Sequence, residues 1–191
     1  MKILLIIILC LLNHIESYTQ EKLYSKSTMQ VGVGVGGNVS NYEFGVGTKL
    51  FVGYQLFIWR DRLRVNPHAF AGNFRHYMVR DASDYYYRLT TAGVNLNFDA
   101  IKYKPFAFFL TAGGFVNYSR GLNANNGMDN MNSPRFFHHI YYGGAGGFGI
   151  RLSPPKSRLV YELIPINIYL GNNGYGQVFT KFGIDIKLNK T

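Results

Sequence analysis

From residue 178 to 188 the chain reads Val-Phe-Thr-Lys-Phe-Gly-Ile-Asp-Ile-Lys-Leu. Val178, Thr180, Phe182, Ile184, Ile186 and Leu188 fall on one face. Phe179, Lys181, Gly183, Asp185 and Lys187 fall on the other. Strict period-two alternation marks an extended strand with one apolar and one polar face. The same pattern predicts seven earlier strands, over 29–36, 46–58, 63–74, 87–98, 105–118, 136–152 and 157–170. In the first, Met29, Val31, Val33 and Val35 share the apolar face, and Gln30, Gly32, Gly34 and Gly36 share the other. Small residues on that second face suit the inside of a narrow tube.

Two prolines modify the pattern. Pro67 lacks a ladder donor, and a bulge is predicted there. Around Pro165 the phase slips by one residue: Tyr161 and Leu163 face outward before it, Ile166, Ile168 and Leu170 after it. A bulge produces such a slip. Strands of about 10–14 residues exceed the usual 5–6 of soluble sheets and match tilted membrane spans. Short connections at 59–62, 99–104 and 153–156 alternate with longer ones at 37–45, 75–86 and 119–135, and 171–177 makes a fourth of the longer set. Aromatic residues gather near strand ends: Tyr42, Phe44, Trp59, Tyr85, Tyr86, Tyr87, Tyr103, Phe106, Tyr118, Phe136, Phe137, Tyr169 and Tyr175. That placement matches the two interfacial girdles of a membrane barrel. The fold class is therefore all-β: an eight-stranded antiparallel up-and-down transmembrane β-barrel, apolar face outward. The alternative is an aqueous sandwich or lipocalin-like barrel with that face inside.

Residues 1–19 have the layout of a secretory signal. Lys2 precedes an apolar run over 3–12, too short for the roughly 20 residues of a membrane helix, and small residues at 17–19 offer a cleavage site. Residues 20–191 then form the barrel domain. The single cysteine, Cys10, lies in the leader, so the exported domain has no thiol and no disulfide. Lys+Arg number 20 and Asp+Glu 10, a net charge of +10. Such a balance favours acidic partners, and here outer-membrane lipid, lipopolysaccharide phosphates or an anionic glycan. The basic residues are scattered rather than run together, which argues against nucleic acid.

The Val-Gly-Val-Gly-Val-Gly-Gly-Asn stretch at 31–38, the Gly-Gly-Ala-Gly-Gly-Phe-Gly-Ile-Arg-Leu stretch at 143–152 and the Phe-Gly-Ile-Asp-Ile-Lys-Leu ending resemble small eight-stranded outer-membrane β-barrel proteins. The style is that of Bacteroidota and of the OmpA/OmpX-like group, and covers roughly 29–188. The resemblance implies the outer membrane of a Gram-negative bacterium, assembly by the barrel assembly machinery, and no cofactor. Such barrels often end on an aromatic residue; this one ends Leu188-Asn189-Lys190-Thr191.

Arg151, Glu162, Lys181, Asp185 and Lys187 fall on the inward face of the last three strands. Buried charges must pair, so these five are predicted to form a lumen charge network. A hairpin centred near Asn173 places Glu162 roughly opposite Asp185. Loops 75–86 and 119–135 carry Arg75, Arg80, Arg120 and Arg135, the candidates for surface binding. No catalytic, cofactor or metal site is predicted. His138 and His139 are adjacent, so their side chains take opposite faces of a strand and cannot share an ion. The alternatives are a lipid A deacylase, which would need a histidine, a serine nucleophile and an orienting acid within reach, and a narrow diffusion pore. Ser133 precedes the histidines across Pro134, and no serine follows them at strand spacing.

Overall fold

A computed structural model describes residues 26–59, 62–76, 86–103, 105–123, 135–155 and 157–188. The leader at 1–19 and Arg80 lie outside these described residues. Eight strands follow in chain order: β1 (Ser27–Val39), β2 (Phe44–Trp59), β3 (Leu63–His76), β4 (Tyr86–Tyr103), β5 (Phe106–Asn123), β6 (Arg135–Leu152), β7 (Leu159–Gly171) and β8 (Gly176–Lys187). Each pairs antiparallel with its sequence neighbour, and β8 returns to β1, closing the barrel. Closure leaves no free edge, as hydrocarbon demands of a sheet.

The period-two alternation sets which way each side chain points. Val35, Leu50, Tyr142 and Leu170 are more than 60 % exposed on the outer wall. Gln30, Gln55, Arg64, Asn117 and Glu162 are buried inside it. An aqueous sandwich would bury the first set and expose the second. Trp59, Tyr103 and Phe106 stand outward at the end of the barrel that holds both strand termini, and Phe44, Tyr86 and Phe136 stand outward at the other. These are two aromatic girdles. Tyr87, Tyr169 and Tyr175 do not belong to them. Each is 1–2 % exposed: Tyr87 and Tyr169 sit on the inward parity of their strands, and Tyr175, at the end of the β7–β8 turn, stacks on Tyr141.

The strands run further than the sequence pattern predicted. Residues 37–39 and 44–45 are paired strand, so the first connection shrinks to 40–43. Residues 99–103 and 119–123 extend β4 and β5. Backbone pairing continues there although apolar alternation has faded, since a ladder needs only backbone groups.

At Pro165 the register of both neighbouring pairs shifts by one residue, between Phe148 and Ile150 on one side and across Ile164 to Asn167 on the other. Ile164 and Asn167 both face inward, and the Thr180 hydroxyl donates to the freed Pro165 carbonyl at 2.7 Å. At Pro67 no bulge forms. Its register with β4 runs straight through, and pairing with β2 simply lapses between Gly53 and Leu56 without a shift. Losing a ladder bond there replaces inserting a residue. The other bulges fall at Phe57/Trp59 and Asp99/Ile101, near the end of the barrel that holds the termini.

The β7–β8 hairpin turns on Asn173 (φ 54°) and Gly174 (φ 67°), with Tyr175 N–H donating to the Asn172 carbonyl at 3.0 Å. Two successive positive φ values make a type I′ turn, for which Asn-Gly is the favoured pair. In the lumen, Gly32 is needed for a different reason: a Cβ there would lie 2.4 Å from the Phe51 ring.

Leu50 sits near the middle of β2 and faces outward. Replacing it with arginine puts a charge at mid-bilayer, and the Leu50→Arg protein is expected to lose about 2–4 kcal/mol of stability. Guanidinium unfolding in lipid vesicles measures this. A loss within experimental error would mean that the face does not meet lipid.

Candidate functional site

Arg151 is the centre of the lumen at the end that holds the termini. It lies directly across the β6–β7 ladder from Glu162, and one of its guanidinium nitrogens donates to Glu162 Oε2 at 2.7 Å. The other donates to Asp99 Oδ1 at 2.9 Å. Arg64 on β3 pairs with the same Asp99 oxygen and donates to Gln55 Oε1 at 3.0 Å. Gln55 Nε2 in turn donates to Asp185 Oδ2 at 3.0 Å. Gln30 Nε2 donates to Glu162 Oε1 at 3.0 Å, and Gln30 Oε1 accepts from Asn66 and from Lys181 Nζ, both at 2.9 Å. Lys102 approaches Asp99 at 3.4 Å. Phe109 of β5 closes the layer: its ring lies 4.5 Å from the Arg151 guanidinium carbon and 5.5 Å from that of Arg64.

Of the five residues predicted for this network, Arg151, Glu162, Lys181 and Asp185 come together. Lys187 does not. It faces inward one step beyond Asp185 but is partly exposed at the mouth, and it forms no ion pair among the described residues. Nor does Glu162 stand opposite Asp185. The register of the hairpin above Pro165 would bring Glu162 opposite Ile184, and the bulge moves it one residue further, so Glu162 faces Gly183 and Asp185 faces Val160. Arg64, Asp99, Gln30 and Gln55 were not foreseen. The signal was there for Arg64 and Asp99: Asn66 and His68, and Asn95 and Asn97, fix the inward parity on which each lies.

The opposite mouth is closed by a second polar cluster. Glu43, in the connection at 40–43, is 1 % exposed. Its carboxylate accepts from the Tyr141 hydroxyl and from Asn38 Nδ2, each at 3.0 Å. Ser40 Oγ accepts from the Glu43 and Tyr42 N–H groups and lies 3.1 Å from the Tyr141 hydroxyl. Tyr87 donates to Asn38 Oδ1, and Tyr175 stacks on Tyr141 with ring centres 4.6 Å apart. Burial raises the Glu43 carboxyl above its ordinary 4.5, and hydrogen bonds from Ser119, Tyr141 and Asn38 oppose that rise.

Outside, at this same mouth, the predicted binding arginines separate. Arg75 and Arg120 are exposed on the outer wall. Arg135 opens β6, with its backbone paired to Asn123. Arg120 lies across the ladder from Arg88 on one side and from His138 on the other. Arg88 and His138 are exposed too, and neither arginine has a carboxylate partner among the described residues. The result is a basic row across β4, β5 and β6. Arg88 was missed in the sequence, although Thr90 and Ala92 fix its outward parity. His139 turns inward and stacks on Tyr42 at 4.0 Å. Among the described residues no three His, Cys, Asp or Glu side chains are grouped to hold a metal.

With the geometry in place, the comparisons are informative at the level of fold. No family profile matches the chain, and no curated protein is similar to it in sequence. Solved structures do match. The barrel is similar to Neisserial surface protein A, with TM-score 0.61, 14 % identity, 86 % of this chain covered and 98 % of that one. It is also similar to Ail, the attachment invasion locus protein of Yersinia pestis, with TM-score 0.50, 11 % identity, and 85 % and 98 % coverage. A second Ail structure, in complex with the heparin analogue sucrose octasulfate, gives TM-score 0.52 at 10 % identity over 85 % of this chain and 98 % of that one. The closed eight-stranded barrel is thus a fold that outer-membrane proteins use.

Two outcomes follow from the clusters. Arg151→Met strips the shared partner from Asp99 and Glu162, and is expected to cost about 3–5 kcal/mol in denaturant unfolding of the detergent-folded barrel. Adding Glu162→Gln should restore part of that loss. For Glu43, a raised carboxyl in the folded state means stability is greatest below its ordinary value and falls as pH rises through the folded value. Thermal midpoints between about pH 4 and pH 8 should therefore decline more steeply in the native protein than in Glu43→Gln. Parallel curves would show that Glu43 does not titrate on folding.

Proposed function

We propose that this is a non-catalytic outer-membrane protein whose basic row on the outer wall binds phosphate or sulfate groups of outer-leaflet lipopolysaccharide. The observation that carries this reading is the ladder of Arg88, Arg120 and His138 on three consecutive strands. Like charges directly opposite one another in a sheet repel. A counter-anion between them removes the repulsion, and arginine forks match phosphate oxygens bidentately. The row stands level with the aromatic girdle of Tyr86, Tyr118 and Phe136, at the depth where headgroups lie. Arg75, one outward step higher on β3, extends it.

Below the row, strands β2 to β5 leave a shallow apolar groove lined by Val52, Pro67, Ala69, Ala92, Val94 and Val116. An acyl chain hanging from a phosphate held above would lie along it. The Ail complex with sucrose octasulfate supports an anionic sugar as a ligand class for this fold. The filled lumen supports a role on the outer wall rather than passage through the barrel. The opposed orientations of His138 and His139 count against a deacylase site, which needs its members converging on one side of the wall. The chain would reach its membrane through the barrel assembly machinery.

The test is the Arg88→Gln/Arg120→Gln double variant, extracted from Gram-negative outer membranes in mild detergent. Lipopolysaccharide phosphate recovered per barrel should fall about tenfold or more, and mass spectrometry of the lipid A recovered with the native protein should show its acyl chains intact. Equal recovery by both proteins sinks the proposal. Displacement by sucrose octasulfate but not by lipid A would assign the row to a soluble glycan instead.

A further inference from the structure

The middle of the lumen holds a lysine with no carboxylate partner among the described residues. Lys49 points inward from β2 and is 2 % exposed. Its ladder partners are Gly34 and Gly72, so no neighbouring side chain shares its level on the wall. Its ammonium lies 3.8 Å from the centre of the Phe179 ring and 4.2 Å from that of Phe70. It has no hydrogen-bond partner among the described residues.

The carboxylates of the lumen are already engaged. Asp99 meets Arg64, Arg151 and Lys102; Glu162 meets Arg151 and Lys181; Asp185 lies 3.9 Å from Arg151. Among the described residues four cations thus share these three carboxylates, the remaining buried carboxylate, Glu43, is hydrogen-bonded at the far mouth, and Lys49 meets none of the four carboxylates. Ring faces attract an ammonium, but they carry no charge, and an uncompensated buried ion is costly. A small anion standing beside the ammonium would remove that cost.

There is room for it. Lys49 borders a cavity of about 20 Å³ that Lys181, His68, Asn95, Asn167 and Tyr169 also line. That holds one water-sized particle and little more. Asn95 and Asn167 each leave a side-chain carbonyl unpartnered, and an amide can present its NH₂ end in place of its oxygen. The Tyr169 hydroxyl and His68 Nε2 are 3.2 Å apart and satisfy one another, so they stabilise the wall of the cavity without competing for its contents.

We infer that the cavity beside Lys49 binds a small monovalent inorganic anion, chloride under ordinary conditions, held by the Lys49 ammonium within the aromatic layer. The ion is the missing counter-charge of the lumen. It neutralises Lys49, occupies the space opposite the Phe70 and Phe179 faces, and offsets the excess positive charge of the layer below.

The test uses the folded full-length barrel in detergent. Crystals of the native protein soaked in sodium bromide should show an anomalous peak in contact with Lys49 Nζ. In solution, the thermal midpoint should be about 3 °C or more higher in sodium chloride than in sodium gluconate of equal ionic strength, gluconate being too large to enter. Lys49→Met fills the same space without charge and should lose the difference between the two salts. The absence of a bromide peak beside Lys49 overturns the inference, whether or not the variant folds. A salt difference that persists in Lys49→Met overturns it as well.

Discussion

Closing eight strands into one tube creates the problem that the interior chemistry answers. The closed ladder satisfies the wall's backbone groups and lets it meet hydrocarbon. The same closure leaves a bore only wide enough for side chains. Those side chains are polar, because the apolar half of each strand is spent on the lipid face. Water cannot enter in quantity to solvate them, so they must solvate one another. Arg151 is where that requirement is met most fully. Through Asp99 and Glu162 it joins β4 and β7 to its own β6. Gln30, Gln55, Arg64 and Lys181 carry the network into β1, β2, β3 and β8. The remaining strand, β5, contributes Phe109 beneath both guanidinium groups. Every strand is thus tied to one node, and the wall cannot open at any seam without exposing a charge.

The architecture was legible because the period of two is a local property. Each strand announces its own faces, and the slip at Pro165 could be read from Leu163 and Ile166 alone. What was not legible depends on neighbours. Glu162 was assigned to Asp185 by counting from the hairpin, but the exact turn register and the bulge each move it by one residue, to Gly183, and its main partner Arg151 lies on the other side, in β6. Asp99 was placed in a turn because alternation of apolar residues stops at Phe98; backbone pairing continues past that point, since the ladder does not need apolar side chains. Tyr87 and Tyr175 were assigned to the lipid interface from residue type, whereas the parity of β4 puts Tyr87 in the lumen and the β7–β8 turn stacks Tyr175 on Tyr141. Where type and parity disagreed, parity prevailed, because turning one side chain to the other face would require a bulge.

A lumen filled at three levels directs any ligand larger than a small ion to the outer wall or to the mouth. At the mouth, Glu43, Tyr141, Tyr175 and Asn38 close the bore with a short connection rather than a long loop. Rigid closure matters for the row outside it. Arg88, Arg120 and His138 project from paired strands, so their backbone positions are fixed before any anion arrives. Binding then has to order only side chains, which keeps the entropic cost of recognition low.

The two places that attract anions are separated by the wall and obey different electrostatics. The row on the outside is bathed in solvent, where salt screens charge within about 10 Å. Added chloride weakens its hold on a phosphate. Lys49 lies inside a low-dielectric layer of aromatic rings, where an ion is bound or absent rather than screened. Added chloride fills that site by mass action. On the two proposed readings one salt would loosen the lipid at the rim while completing the charge balance of the core, and this opposition of sign would separate the two effects in a single titration.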